Sequence, residues 1–180
     1  MRISFGGIPG DAIVASRHHG GPDQAIYAYS ADDYDWWARN YDGRYFAGVF
    51  GENLTIREMP SDMYIGDRLL IGEVVLEASA PRIPCATLAA RMRDSEFGLK
   101  FRLAERPGVY FRVLNEGEIC AGDQVTYLDS NEHGVTVLEL FRYKYRLQHE
   151  AAELRRCLEA PLAVRLRADI ESKLATIEKK

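Results

Sequence analysis

Residues 67–80, DRLLIGEVVLEASA, decide the fold. Asp67–Ile71 and Val74–Ala80 are short runs dense in aliphatic and β-branched side chains, and Gly72-Glu73 separates them as a two-residue turn, so the stretch predicts a β-hairpin. Outward from it the same texture repeats. Val109–Leu114 (VYFRVL) is a clear strand, Asn115-Glu116-Gly117 a turn, and Gln124–Leu128 and Val135–Leu138 read as two further strands. On the N-terminal side, Asn53–Arg57 and the buried run Ala25–Tyr29 complete the set. Ser30 reads as the N-cap of a helix over Ala31–Asn40, with Asp32 and Asp33 in the first turn, where carboxylates suit the positive helix end. A second helix is expected to begin near Pro84 and to carry Cys85, Leu88, Ala89 and Met92. Gly-Asp recurs as Gly10-Asp11, Gly66-Asp67 and Gly122-Asp123, a turn that feeds a strand.

Many short strands and few helices predict a mainly β fold, a closed or nearly closed β-barrel over residues 1–140, because closure removes exposed strand edges. Residues 141–180 differ. Leu147, Ala151, Leu154 and Leu158 repeat at helical spacing, and after Pro161 so do Leu162, Leu166, Ile170, Leu174 and Ile177. They form a C-terminal helical hairpin that packs on the barrel or on a second copy of the chain, as a homodimer.

Composition narrows the function. The chain has 180 residues, 47% hydrophobic and 28% charged, enough for one domain with a small appendage and a core that needs no disulfides. A net charge of −4 disfavours a nucleic-acid polymer as partner, while leaving room for a local basic pocket. No apolar run approaches the roughly 20 residues of a membrane span, and the N-terminus lacks the apolar core of a signal peptide. Cys85, Cys120 and Cys157 are odd in number and far apart, neither a disulfide framework nor a metal knuckle, which implies a reduced, cytoplasmic setting.

Three segments carry chemistry. In Arg17-His18-His19-Gly20-Gly21-Pro22-Asp23, glycines permit close backbone approach to a ligand and present His19 to a bound group; a tight turn with solvent-facing histidines is the alternative. In Phe50-Gly51-Glu52-Asn53-Leu54, Glu52 and Asn53 place hydrogen-bonding groups at the mouth of a strand, to bind a heterocycle edge or simply to cap the turn. The sharpest is Pro81-Arg82-Ile83-Pro84-Cys85. Two prolines stiffen the approach to a helix start, Cys85 falls in its first turn and Arg82 lies three residues earlier. A helix start and a neighbouring cation both favour thiolate, which is a nucleophile or a soft metal ligand; a buried inert thiol is the alternative. Cys120 and Cys157 lack such framing and read as structural.

At these residues the chain resembles the MOSC domain family, in its YiiM-like branch. HHGGPDQAIYAYS, FGENLT, MYIGDRLLIGEVVLEASAPRIPC and GVYFRVLNEGEICAGDQV occur in the family's order over about residues 10–128. The resemblance implies a MOSC β-barrel of the pyruvate-kinase-barrel type and binding of the molybdenum cofactor, a molybdopterin. It makes Cys85 the thiolate ligand of the molybdenum and a catalytic residue, with His19 orienting the cofactor or supplying a proton. It makes Arg82, Arg17, His19, Gly20, Gly21, Glu52 and Asn53 cofactor-binding, and it brings a family-level association with pyridoxal phosphate. It implies reduction of a small N-hydroxylated substrate, a hydroxylaminopurine-type base or an amidoxime. The electrons are expected from an external donor protein, since the chain has no flavin, haem or iron–sulfur signature. The chain begins later than family members generally do, so part of the barrel and one pocket wall are expected to be missing or rebuilt, and the three-helix C-terminal unit to be shortened to two. A non-catalytic cofactor carrier and a metal-free thiol enzyme using Cys85 with His19 as base are the rival functions.

Overall fold

The computed structural model describes residues 1–10, 21–130 and 134–179. Six strands form one curled mixed sheet, a half-barrel: β2 (Ile26–Ser30), β3 (Leu54–Ile56), β4 (Arg68–Ile71), β5 (Val74–Pro81), β6 (Val109–Asn115) and β8 (Val125–Leu128), in the order β3-β2-β6-β5-β4-β8. β1 (Arg2–Ile3) and β7 (Gly117–Glu118) pair separately. The predicted hairpin is present, with Leu69 opposite Leu76 and Ile71 opposite Val74 across the turn at Gly72-Glu73. Among the described strands only β2 and β3 run parallel, linked by α1 (Ala31–Asn40), whose cap is as expected: the Ser30 hydroxyl accepts from the backbone N–H of Asp32 and Asp33.

Strand alternation sorts side chains onto two faces. Ile26, Ala28, Leu76, Ala78, Val109, Phe111 and Val113 point into an aliphatic core. Tyr27, Tyr29 and Tyr110 point the other way, into an aromatic core with Trp37, Phe50, Phe97 and Phe101. A bulge in β5 changes the facing of its last residues. Ala78 pairs with Phe111 but Ala80 with Tyr110, so Ser79 is an extra residue in the ladder. Because side chains alternate with a period of two, the insertion flips the strand: Val74, Leu76 and Ala78 face the aliphatic core, Ala80 the aromatic one. Arg82, two residues beyond Ala80, is thereby delivered to the aromatic side, where its guanidinium lies 5.1 Å from the Tyr27 ring centroid.

Two helices differ from the sequence reading. α3 (Phe97–Ala104) is unanticipated and buries Phe97 and Phe101 against Trp37. The strand read at Val135–Leu138 is instead the start of α4 (Val137–Tyr143). Thr136 caps that helix by accepting from the Glu139 N–H at 3.0 Å, and Val137, Leu140 and Phe141 point inward. With α5 (Ala151–Glu159) and α6 (Val164–Glu178), which pack on each other as expected, three helices follow the sheet, where the sequence reading had two. None of the described helices is long and apolar enough to cross a membrane.

The sheet and the last helices are joined by a half-buried polar network. Arg112 reaches Asp23 at 3.0 Å and Glu77 at 3.2 Å, and donates to the carbonyls of Pro161 at 2.9 Å and Leu162 at 3.1 Å. Asp23 accepts from the Val164 N–H at 3.0 Å, and the bulged Ser79 carbonyl from Ala163 at 3.0 Å. The aspartate of the His-Gly-Gly-Pro-Asp segment is therefore a bracket between the sheet and α6.

Candidate active site

The Pro81–Cys85 corner leaves the end of β5 in extended conformation. Cys85 is the N-cap of α2 (Ala86–Met92), with φ −127° and ψ 169°, rather than a first-turn residue, and Pro84 lies outside the helix. Its thiol is half-buried. Burial pushes the thiol pKa up, but the backbone N–H of Leu88, the Arg82 charge and the Thr87 backbone and hydroxyl together outweigh it, and the net displacement is below the ordinary thiol value. Arg82 Nη2 stands 3.9 Å from Cys85 Sγ.

Arg82 is only 8% exposed. Burial alone would lower its pKa, but Tyr110, Tyr27 and Cys85 raise it overall. No carboxylate among the described residues forms an ion pair with it, and its Nε is buried without a hydrogen-bond partner. Tyr27 and Tyr110 form the wall beneath, 5.1 Å apart, and burial pushes both phenols above their ordinary pKa.

The Phe50–Leu54 segment forms the rim. Glu52 Oε1 accepts from Gly48 N–H at 2.5 Å, Tyr34 Oη at 2.6 Å and Thr55 Oγ1 at 2.9 Å, while its buried Oε2 has no partner. Asn53 exchanges two hydrogen bonds with the Tyr27 backbone, each 2.8 Å, one of them through its side-chain oxygen. Both residues brace the turn that faces Arg82. Gly21 is exposed, at φ 95°, and its carbonyl accepts from Gln24 N–H at the start of a short 3-10 turn, Pro22–Gln24. Arg17, His18, His19 and Gly20 lie outside the described residues. Sequence reasoning missed Tyr27 and Tyr110, which alternation alone places on one face, and Arg91, whose Nη2 donates to the Gly48 carbonyl at 2.9 Å.

The donor set fits one soft metal held by a single protein thiolate, and not a protein-only metal cage: no cluster of three or more His, Cys, Asp or Glu side chains suited to a metal exists among the described residues. The other two thiols are placed differently. Cys120 is exposed in a turn, and Cys157 is buried in α5, its pKa pushed up to about 11 by burial.

Comparison with known proteins gives a consistent picture. Residues 15–126 match the family model described as MOSC domain, and residues 135–176 the one described as YiiM-like, 3-alpha helix domain. The chain is 34% identical over 166 residues to the uncharacterized protein YflK of Bacillus subtilis, covering 91% of this chain and 75% of that one. It is 30% identical over 158 residues to protein YiiM of Escherichia coli, covering 86% and 70%. A protein of Gibberella moniliformis named reductase matches at 34% identity over 161 residues, 87% of this chain but 28% of its own length. The crystal structure of YiiM from Geobacillus stearothermophilus superposes with a TM-score of 0.79 at 27% identity, covering 84% of this chain and 79% of that one.

Proposed function

The chain belongs to the MOSC domain family, and from that premise we propose that it is an oxidoreductase that binds the molybdenum cofactor and reduces small N-hydroxylated compounds. The family is associated with molybdenum cofactor binding, and the relative named reductase supports redox chemistry. The observation that carries the reading is the Arg82–Cys85 corner: a half-buried thiol held toward thiolate, beside a buried guanidinium with an orphaned Nε and no carboxylate partner among the described residues. A cofactor that brings negative charge and accepts a soft sulfur ligand meets both needs.

When bound, the group supplies two-electron redox chemistry at molybdenum. The chain's own residues do the rest. Cys85 Sγ would hold the metal. With the Leu88 N–H, Arg82 favours the thiolate form of that sulfur, and it would offset the negative charge brought in. Tyr27 and Tyr110 close the floor against water. Glu52 and Asn53 hold the rim turn in place. Arg17, His19, Gly20 and Gly21 are assigned to the cofactor by the family resemblance, and His19 is the residue proposed to place a proton on the departing oxygen, a task imidazole chemistry suits. Reduction of an N–OH group consumes two electrons and two protons and releases water, so an external donor protein supplies the electrons. Three unpaired thiols support a reducing, cytoplasmic setting.

The test is turnover of a hydroxylaminopurine base and of an amidoxime, with an artificial electron donor, by protein from a host that makes the cofactor. Turnover that requires molybdenum supports the reading; a loaded protein that reduces neither is a carrier. The lowered thiol pKa equally suits a metal-free thiol enzyme, and activity retained without molybdenum would select that reading.

A further inference from the structure

The bulge that delivers Arg82 to the aromatic side is not completed by the sheet alone. Ser79, the extra residue between Ala78 and Ala80, is wholly buried, and an inserted residue is left unpaired in the ladder. Its buried polar groups must therefore be met elsewhere. The Ser79 carbonyl accepts from the Ala163 N–H at 3.0 Å, at the start of α6. The Ser79 hydroxyl lies within hydrogen-bond reach of two carbonyls, that of Tyr110 at 3.0 Å and that of Asp23. Two of the groups that complete the bulge thus lie outside the sheet: Asp23, ahead of β2, and the first residues of α6. These two are fastened to each other. Ala163, at the cap position of α6, has no side chain able to cap the helix, and the first helical N–H, that of Val164, donates to Asp23 Oδ2 at 3.0 Å. A carboxylate there also meets the positive end of the helix. Asp23 Oδ1 pairs with Arg112 of β6 at 3.0 Å, the guanidinium that holds the Pro161 and Leu162 carbonyls just before α6.

We propose that Asp23 is a positioning residue for the Arg82–Cys85 corner. By capping α6 from outside the helix it holds the helix start against Ser79, and so sets the bulge that aims Arg82 at the Tyr27 ring and at Cys85. The lever is short: Ser79 stands three residues before Arg82, and the Tyr110 carbonyl that Ser79 reaches belongs to the residue whose ring lies beneath that arginine. The C-terminal helices thereby become part of the scaffold of the site through backbone groups at the start of α6. The importance of this role rests on the function proposed for the corner, but the positioning itself is a property of the protein without cofactor.

The test uses the full chain from a host unable to make molybdopterin and reads the Arg82 Nε–H by nitrogen–proton NMR, assigned by its disappearance in Arg82→Met. That nitrogen is buried and its guanidinium lies 5.1 Å from the Tyr27 ring centroid, so the parent signal is expected to be ring-shifted and slow to exchange. In Asp23→Ala it is expected to move toward the position of an exposed arginine and to exchange about tenfold faster or more. Asp23→Asn, which keeps an acceptor for the Val164 N–H, is expected to restore most of the parent signal. Ile71→Ala truncates the core at the turn end of the β4–β5 hairpin, lowers stability without touching this joint, and is expected to leave the signal in place. Should Asp23→Ala not fold, Val164→Pro reads the same link. Proline suits a first helical position, Ala163 before it is already extended at ψ 138°, and the N–H given to Asp23 is what the substitution removes. An Arg82 signal unchanged in Asp23→Ala or in Val164→Pro overturns the proposal, as does an equal loss of that signal in Ile71→Ala. Molybdenum is not read in this experiment, so the cofactor assignment can fail without moving its result.

Discussion

Two charged residues are buried near the same sheet and are held in opposite ways. Asp67, 0% exposed beside the aliphatic core, accepts from Tyr64 N–H at 2.7 Å, Ser130 N–H at 2.8 Å and Ser130 Oγ at 3.2 Å, and from the Tyr127 hydroxyl. Arg82, 8% exposed beside the aromatic core, has a thiol at 3.9 Å, the Tyr27 ring face, the Tyr110 hydroxyl and an orphaned Nε, and no carboxylate among the described residues pairs with it. A buried charge whose lone pairs are all met is a structural fastener. One with no opposite charge beside it is a candidate for a role outside the fold, and it stands beside the only half-buried thiol of the three.

The contrast breaks if the two residues cost the same to remove. Asp67→Ala is expected to destabilise the protein by about 3–5 kcal/mol, because the half-buried donors of Tyr64, Tyr127 and Ser130 lose their shared acceptor. Arg82→Met is expected to change stability by about 1 kcal/mol or less, since an apolar chain of similar length replaces a cation with no carboxylate partner. Urea denaturation of both variants measures the difference, and equal losses would make Arg82 structural. An intermediate effect belongs to Arg112, which ties Asp23 and Glu77 to the Pro161 and Leu162 carbonyls. Arg112→Met is expected to cost about 2–3 kcal/mol in thermal unfolding, against less than about 1 kcal/mol for Arg68→Met, whose half-exposed side chain pairs with the same Glu77. An inverted order would mean that the sheet and the helices are not joined through this network.

The thiols sharpen the comparison kinetically. In metal-free protein at mildly acidic pH, iodoacetamide is expected to label Cys85 first, and Arg82→Met to slow that labelling severalfold and move its pH profile upward. Faster labelling of Cys157, read by mass spectrometry, would show that the α2 corner does not favour thiolate. The smallest effect lies at alkaline pH. The folded-state pKa of Cys157 is raised to about 11, so its contribution to stability is whole below the unfolded thiol value of about 8.5 and disappears as pH rises through 11. Unfolding midpoints measured across that window are expected to fall less steeply in Cys157→Ala than in the parent.

What the sequence revealed tracks the range of the interactions. The β4–β5 hairpin, the Ser30 cap and the Pro-Arg-x-Pro-Cys corner depend on residues a few positions apart, and all are legible. The bulge at Ser79 is not, because EASA reads as uninterrupted strand and the flip appears only in the pairing with β6. α4 is hidden by its β-branched opening, Val135-Thr136-Val137, although Thr136 followed three residues later by Glu139 is a helix-start signal. Glu52 and Asn53 are conspicuous in the chain, yet most of their polar atoms are spent on bracing the rim turn. Arg91, which reaches the site from the far end of α2, has no framing in the sequence; only the fold brings it to Gly51.

The proposed role of Cys85, a thiol held toward thiolate beside Arg82, is to ligate the molybdenum cofactor. Metal and pterin analysis of the parent, Cys85→Ser and Cys120→Ser proteins, purified from a cofactor-competent host, tests it most directly. A serine hydroxyl is a poor soft-metal ligand. The account predicts molybdenum with pterin in the parent and in Cys120→Ser, and loss of molybdenum in a folded Cys85→Ser; full molybdenum occupancy in Cys85→Ser would contradict it.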